Sequence, residues 1–79
     1  LYFDATVEVE GIDRKGILHD VSEVISHKMN VNIHKVSFTA DQGIFSGQIE
    51  LRVHDREDVK TIIGRLKKVD DLKEVRQIL

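Results

Sequence analysis

Between residues 13 and 18 the chain reads Asp13-Arg14-Lys15-Gly16-Ile17-Leu18, a charged turn with one glycine and two apolar anchors. Such a set can bring backbone and side-chain donors close to a small charged molecule. Ahead of it, Ala5-Thr6-Val7-Glu8-Val9-Glu10 alternates small or apolar with polar side chains, the period-two pattern of a half-buried strand. Behind it, Ile17, Leu18, Val21, Val24 and Ile25 recur at helical spacing. The turn therefore ends at a helix N-terminus, whose free N–H groups and positive dipole end favour a carboxylate or phosphate. Phosphate is the poorer fit, because Asp13 stands beside Arg14 and would repel it. The stretch from Gly11 to Gly16 also lacks the Gly-Lys-Ser/Thr ending of a P-loop.

Other chemistry finds less support. The acidic residues mostly alternate with apolar ones or line helix surfaces, a solvated arrangement rather than a convergent acid–base pair. Glu8, Glu10 and Glu50 fall on one face and are expected to crowd there. His19 and His27 are eight residues apart, about 80° out of phase around a helix, so they do not form the i, i+4 pair of a helical zinc site. No catalytic residue, metal ligand or cofactor is assigned. His19, in the first helical turn beside the loop, is placed instead at a ligand or subunit contact.

The chain has 79 residues, no cysteine, 12 basic and 14 acidic side chains, and a formal net charge of −2. That length is one domain, residues 1–79, burying only about 60–65% of its unfolded surface, so a partner subunit or a parent protein is expected. The opening without methionine reads as a fragment of a larger multidomain enzyme. No apolar run approaches the ~20 residues needed to span a bilayer, and a cytoplasmic setting is expected. A nearly balanced charge supplies no long-range attraction for nucleic acid.

Six elements position the turn. A first strand over about residues 4–10 and a helix over 16–28 are followed by a strand over 31–39, with Asp41-Gln42-Gly43 as a hairpin turn. In the third strand Phe45, Gly47, Ile49, Leu51 and Val53 share one face, which fixes its register. Asp55 and Asp58 suit the start of a second helix with the stripe Val59, Ile62, Ile63, Leu66 and Val69, in which Gly64 would allow close approach to the sheet. Asp70-Asp71 ends that pattern, and Leu72 to Leu79 forms a last strand with Val75 and Leu79 on one face.

The order is βαββαβ. Right-handed crossovers then give an α+β, ferredoxin-like plait: a four-stranded antiparallel sheet with both helices on one face and the other face open. The second strand leaves two readings, because Val31 and Ile33 have one parity and Val36 and Phe38 the other. Either a bulge intervenes, or Val36, Phe38 and Ile44 gather on the open face as an interface. An RNA-recognition module shares this element order but stacks bases on open-face aromatics, and Phe45 has core parity, leaving Phe38 alone.

The element order and the run from Asp13 to Val21 resemble an ACT domain, whose loop reads Asp-Arg-x-Gly-apolar-apolar, then an acidic and an apolar residue. Asp13, Arg14, Gly16, Ile17, Leu18, Asp20 and Val21 match. Residues 7–16 with Asn30-Val31-Asn32-Ile33 are similar to the C-terminal ACT domain of RelA/SpoT-type enzymes, which make and degrade (p)ppGpp. The resemblance implies a non-catalytic regulatory domain in the stringent response, pairing as a homodimer or higher oligomer through the first helix and second strand. It implies an amino-acid site where Asp13, Arg14, Gly16, Ile17 and Leu18 meet Asn30, Asn32 and Ile33 of a neighbouring subunit. It also implies contacts with other domains of the parent and with the ribosome or tRNA. Asp13 would cap the helix, although Asp13, Arg14 and Gly16 can equally do no more than build the turn.

Overall fold

Ten consecutive residue pairs, from Phe3↔Val53 to Ile12↔Ile44, join the first and third strands without interruption. This unbroken antiparallel ladder is the spine of the computed structural model, which describes residues 1–27 and 31–79. The elements are β1 (Phe3–Ile12), α1 (Ile17–Ser26), β2 (Val31–Asp41), β3 (Ile44–Val53), α2 (Arg56–Leu66) and β4 (Leu72–Gln77). The sheet order is β2-β3-β1-β4 with every pairing antiparallel, the plait expected from the sequence.

The core forms where the alternating faces of the two central strands meet the helices. Val7 and Val9 of β1 and Ile49, Leu51 and Val53 of β3 pack with Val21 of α1 and Ile62 and Leu66 of α2, all fully buried. Asp55 caps α2, its carboxylate accepting the Glu57 N–H at 2.9 Å. Gly64 does not bring α2 closer to the sheet, since it is exposed and nothing lies within 4 Å of where a Cβ would sit. Leu79 likewise departs from expectation: it lies beyond β4 and is 78% exposed, whereas Val75 is buried.

The parity conflict in β2 is resolved by a bulge. Its register against β3 shifts between Ile33 and Lys35, so His34 is the extra residue. Ile33 then lies opposite Leu51 and Val36 opposite Ile49, which places both parities on the helix side. Val36 and Phe38 are therefore not on the open face. Phe38 packs against the core and stacks on Phe45 with ring centroids 5.4 Å apart, its ring lying over Gly47. Ile44 does lie on the open face, opposite Ile12. The β2–β3 turn has φ of 50° at Gln42 and 81° at Gly43, the two positive values of a two-residue type I′ hairpin.

The open face carries a lattice of polar pairs. The Arg52 guanidinium donates to both Asp4 carboxylate oxygens, at 2.8 and 3.3 Å. Arg76 bridges Glu8 and Glu74, and the Gln48 side chain donates to Glu8. Glu8 is thus neutralised across strands and does not crowd Glu50, which lies opposite Thr6. These contacts hold the Asp4 and Glu8 carboxyls below their ordinary pKa, chiefly through the hydrogen bonds from Arg52 and Arg76 respectively.

Two outcomes follow. Gly64→Ala should raise stability by about 1 kcal/mol, because the site is open and alanine loses less chain entropy in a helix. Gly47→Ala should lower it by about 1–3 kcal/mol, since its Cβ would strike the Phe38 ring and approach the Ser37 carbonyl to 2.8 Å. Thermal unfolding of both variants decides, and equal midpoints would remove the packing role of Phe38. Separately, because Asp4 and Glu8 have depressed folded-state pKa values, the stability they contribute is present above the unfolded values near pH 4 and is lost as pH falls through the folded ones. Carboxyl NMR should show Glu8 titrating below an ordinary glutamate and returning to normal in Arg76→Ala.

Candidate functional site

The loop after β1 is built around one guanidinium. Arg14 Nη2 donates to the Asp20 carboxylate at 2.9 Å and to the Asp70 carbonyl at 2.8 Å. Its Nε donates to the Asp71 carboxylate at 3.1 Å and its Nη1 to the Lys15 carbonyl at 3.1 Å. The side chain is about three-quarters buried, and its pKa is raised by the Asp20 hydrogen bond first and then by the Coulombic pull of Asp20 and Asp71. Arg14 therefore ties its own loop to the first turn of α1 and to the α2–β4 turn.

The backbone repeats that connection. The Ile12 N–H donates to the Asp71 carbonyl at 2.9 Å, and Gly11 lies so close to this carbonyl that a Cβ would collide with it. The Asp13 N–H donates to the Gly43 carbonyl at 3.0 Å, which brings the β2–β3 hairpin to the same end of the sheet.

Asp13 does not cap α1. The N-cap residue is Gly16, in the left-handed conformation with φ 86°, and no side chain bonds to the helix start. The loop needs that positive φ to reverse direction after Arg14, whose carbonyl accepts the Ile17 N–H at 3.2 Å. The N–H groups of Leu18 and His19 make no hydrogen bond among the described residues, so they remain available to a ligand.

Asp13, Arg14, Gly16, Ile17 and Leu18 line one cavity of about 240 Å³, together with Phe38, Thr39, Ala40 and Phe45. Its lining combines the apolar Ile17, Leu18, Phe38, Ala40 and Phe45 with the acidic Asp13 and the start of α1, where the Leu18 N–H is unbonded among the described residues. Binding of a molecule with an ammonium, a carboxylate and a small apolar side chain would use all three features. The volume is below the range of drug-sized pockets, ~300–1,000 Å³.

The remaining sequence-predicted residues lie elsewhere in the chain. Asn32 is opposite Arg52 on the open face and Ile33 is on the helix side, eight and seven residues from Ala40, a separation of about 20–25 Å along a bulged strand. Asn30 lies outside the described residues. His19 is exposed on α1 and does not line the cavity. Sequence reading did not find Thr39, Ala40 and Phe45 as lining, nor Asp70 and Asp71 as partners of Arg14.

Residues 2–76 match the ACT domain family. The GTP pyrophosphokinase of Haemophilus influenzae is 27% identical over 78 residues, covering 96% of this chain and 10% of that protein, so the chain spans about a tenth of that curated relative. The crystal structure of the ACT domain from GTP pyrophosphokinase of Chlorobium tepidum superposes with a TM-score of 0.93 at 26% identity, covering 99% of this chain and all of that one. The small subunit of acetolactate synthase from Thermotoga maritima shares the fold alone, with a TM-score of 0.79 at 14% identity over 95% of this chain and 47% of that one. From the match along nearly its whole length, the chain belongs to the ACT domain family and is a regulatory rather than a catalytic domain.

Proposed function

We propose that this domain belongs to a cytoplasmic GTP pyrophosphokinase of RelA/SpoT type, binds a small apolar amino acid at the β1–α1 loop, and pairs side by side with a second copy. The observation that carries the reading is the cavity whose lining brings Asp13 and the first residues of α1 together with the apolar Ile17, Leu18, Phe38 and Phe45. The ligand carboxylate takes the helix-start donors and its ammonium takes Asp13.

Pairing supports the same site. β2 is an edge strand with Ile33 39% and Val36 37% exposed on its helix side, and Leu18 is 50% exposed on α1. Two copies of β2 running antiparallel and centred on Val36 bring the partner's Ile33, on its helix side, alongside Phe38 at the open side of the cavity. Binding then acts by population shift, favouring the arrangement of the pair that holds the ligand better and so biasing the synthetase and hydrolase domains of the parent. Arg14 positions the loop rather than touching the ligand, since its guanidinium is already committed to Asp20, Asp70, Asp71 and Lys15.

Titration with valine, isoleucine and leucine should shift the amides of residues 13–18 and 38–40, and Val36→Glu should convert the dimer to a monomer in sedimentation and weaken binding. No shift at millimolar concentration would reject sensing by this domain. Arg14→Ala should lower the thermal unfolding midpoint, because the loop, α1 and the α2–β4 turn lose their shared anchor. Arg14→Lys should fail to restore it, because an ammonium cannot span Asp20 and Asp71 as the planar fork does. Full recovery with lysine would argue for simple charge attraction instead.

A further inference from the structure

The two edges of the sheet differ in chemistry. Whereas β2 exposes Ile33 and Val36, the β4 edge is bordered by cations. Arg56 and Lys60 of α2 and Lys67, its C-cap residue, stand at spacings of four and seven on one face of the helix; Arg56 lies over the Phe3 ring, and Lys60 makes an exposed pair with Glu57 at 3.4 Å that a bound carboxylate can replace. That face borders β4. Lys67 shares a cavity of about 510 Å³ with Leu72, Lys73 and Val75, and Arg56 and Lys60 share another of about 510 Å³ with Phe3, Val59 and Gln77. The acids that line these two cavities, Glu74 and Asp4, are already bonded to Arg76 and Arg52. The side chains of Lys67 and Lys73 make no hydrogen bond or ion pair among the described residues.

We propose that this trough takes an extended acidic segment of a partner protein, added to β4 as a fifth strand. An edge strand directs alternate N–H and C=O groups outward unpaired, and an added strand satisfies them. Every second side chain of that strand faces α2, spaced about 6.8 Å. Along the helix Lys60 follows Arg56 by about 6 Å and Lys67 follows Lys60 by about 10.5 Å, so acidic residues at alternate positions reach these cations.

The chemistry disfavours other occupants. A second copy of this edge would set lysines against lysines. A phosphate backbone offers no strand hydrogen bonds to satisfy the edge, and on the adjoining open face Arg76 is already bonded to Glu8 and Glu74 beside Glu10. The proposal is independent of amino-acid sensing and of pairing through β2.

The test is an amide NMR titration of the 79-residue chain with a synthetic peptide alternating Glu and Thr, with a Lys-and-Thr peptide as control. Shifts in residues 72–77 and along α2, with slowed exchange of β4 amides, are expected for the Glu peptide alone. The double variant Lys67→Glu and Lys73→Glu should weaken binding about tenfold or more, with its circular dichroism unchanged because both side chains are exposed. The monomer made by Val36→Glu should bind the peptide as well as the parent chain. Equal binding of the Lys peptide, shifts confined to β2, no shift at millimolar peptide, or tighter binding of oligouridylate at the same residues would each overturn the proposal.

Discussion

At one end of the sheet two chain reversals must coexist within a single side-chain length: β1 turns into α1 while α2 turns into β4. Arg14 meets that constraint. Its fork reaches Asp20 in α1, Asp71 at the α2–β4 turn and the Asp70 carbonyl, while the backbone bond from Ile12 to Asp71 fixes the spacing between the two turns. With those turns held, the start of β4 is aligned on the end of β1, and the Asp13 bond to Gly43 brings the hairpin to the same end. The cavity forms where these segments converge, which is why its wall combines the loop with the end of β2.

Much of this fold was legible because single-face burial leaves a strong record. The alternation of Phe45, Ile49, Leu51 and Val53 reports a strand packed on one side, and β3 is observed with that register. In β2 the same logic produced a conflict, since a strand with Val31 and Ile33 on one parity and Val36 and Phe38 on the other satisfies no single face. A bulge at His34 lets all four face the helices, and its location depends on pairing with Leu51 and Ile49 across the sheet. Sequence periodicity contains the need for the bulge but not its outcome, because the alternative, an exposed apolar patch, costs only solvation of an edge strand.

The site divides along a similar line. Asp13, Arg14, Gly16, Ile17 and Leu18 stand together in the local sequence, and the structure gathers them around one cavity. What Arg14 binds was hidden, since Asp71 is 57 residues away in sequence and reads locally as a helix breaker. The topology offered the missing signal: in a plait where β1 and β4 are antiparallel neighbours, the end of one must lie beside the start of the other. The capping expectation for Asp13 failed for a steric reason. Once Gly16 adopts a left-handed conformation, the helix begins at Ile17, four residues beyond Asp13, and the Asp13 side chain makes no bond to the helix start.

The same guanidinium gives the proposed regulation a physical route. Allosteric coupling needs an element whose arrangement both sites bias. The Arg14 contacts join the loop to the α2–β4 turn, so a displacement at one end is felt at the other. A ligand seated against Leu18 and Asp13 lies within the loop that Arg14 anchors, and the far end of that anchor is the turn that launches β4. β4 is an edge strand joined to the sheet through β1 alone, as β2 is through β3, so a change at Asp71 is opposed there by one ladder, whereas β1 and β3 are each held by two. Of the two edge strands β4 is the one that Arg14 wires to the loop, and a signal received at residues 13–18 would leave the domain through it.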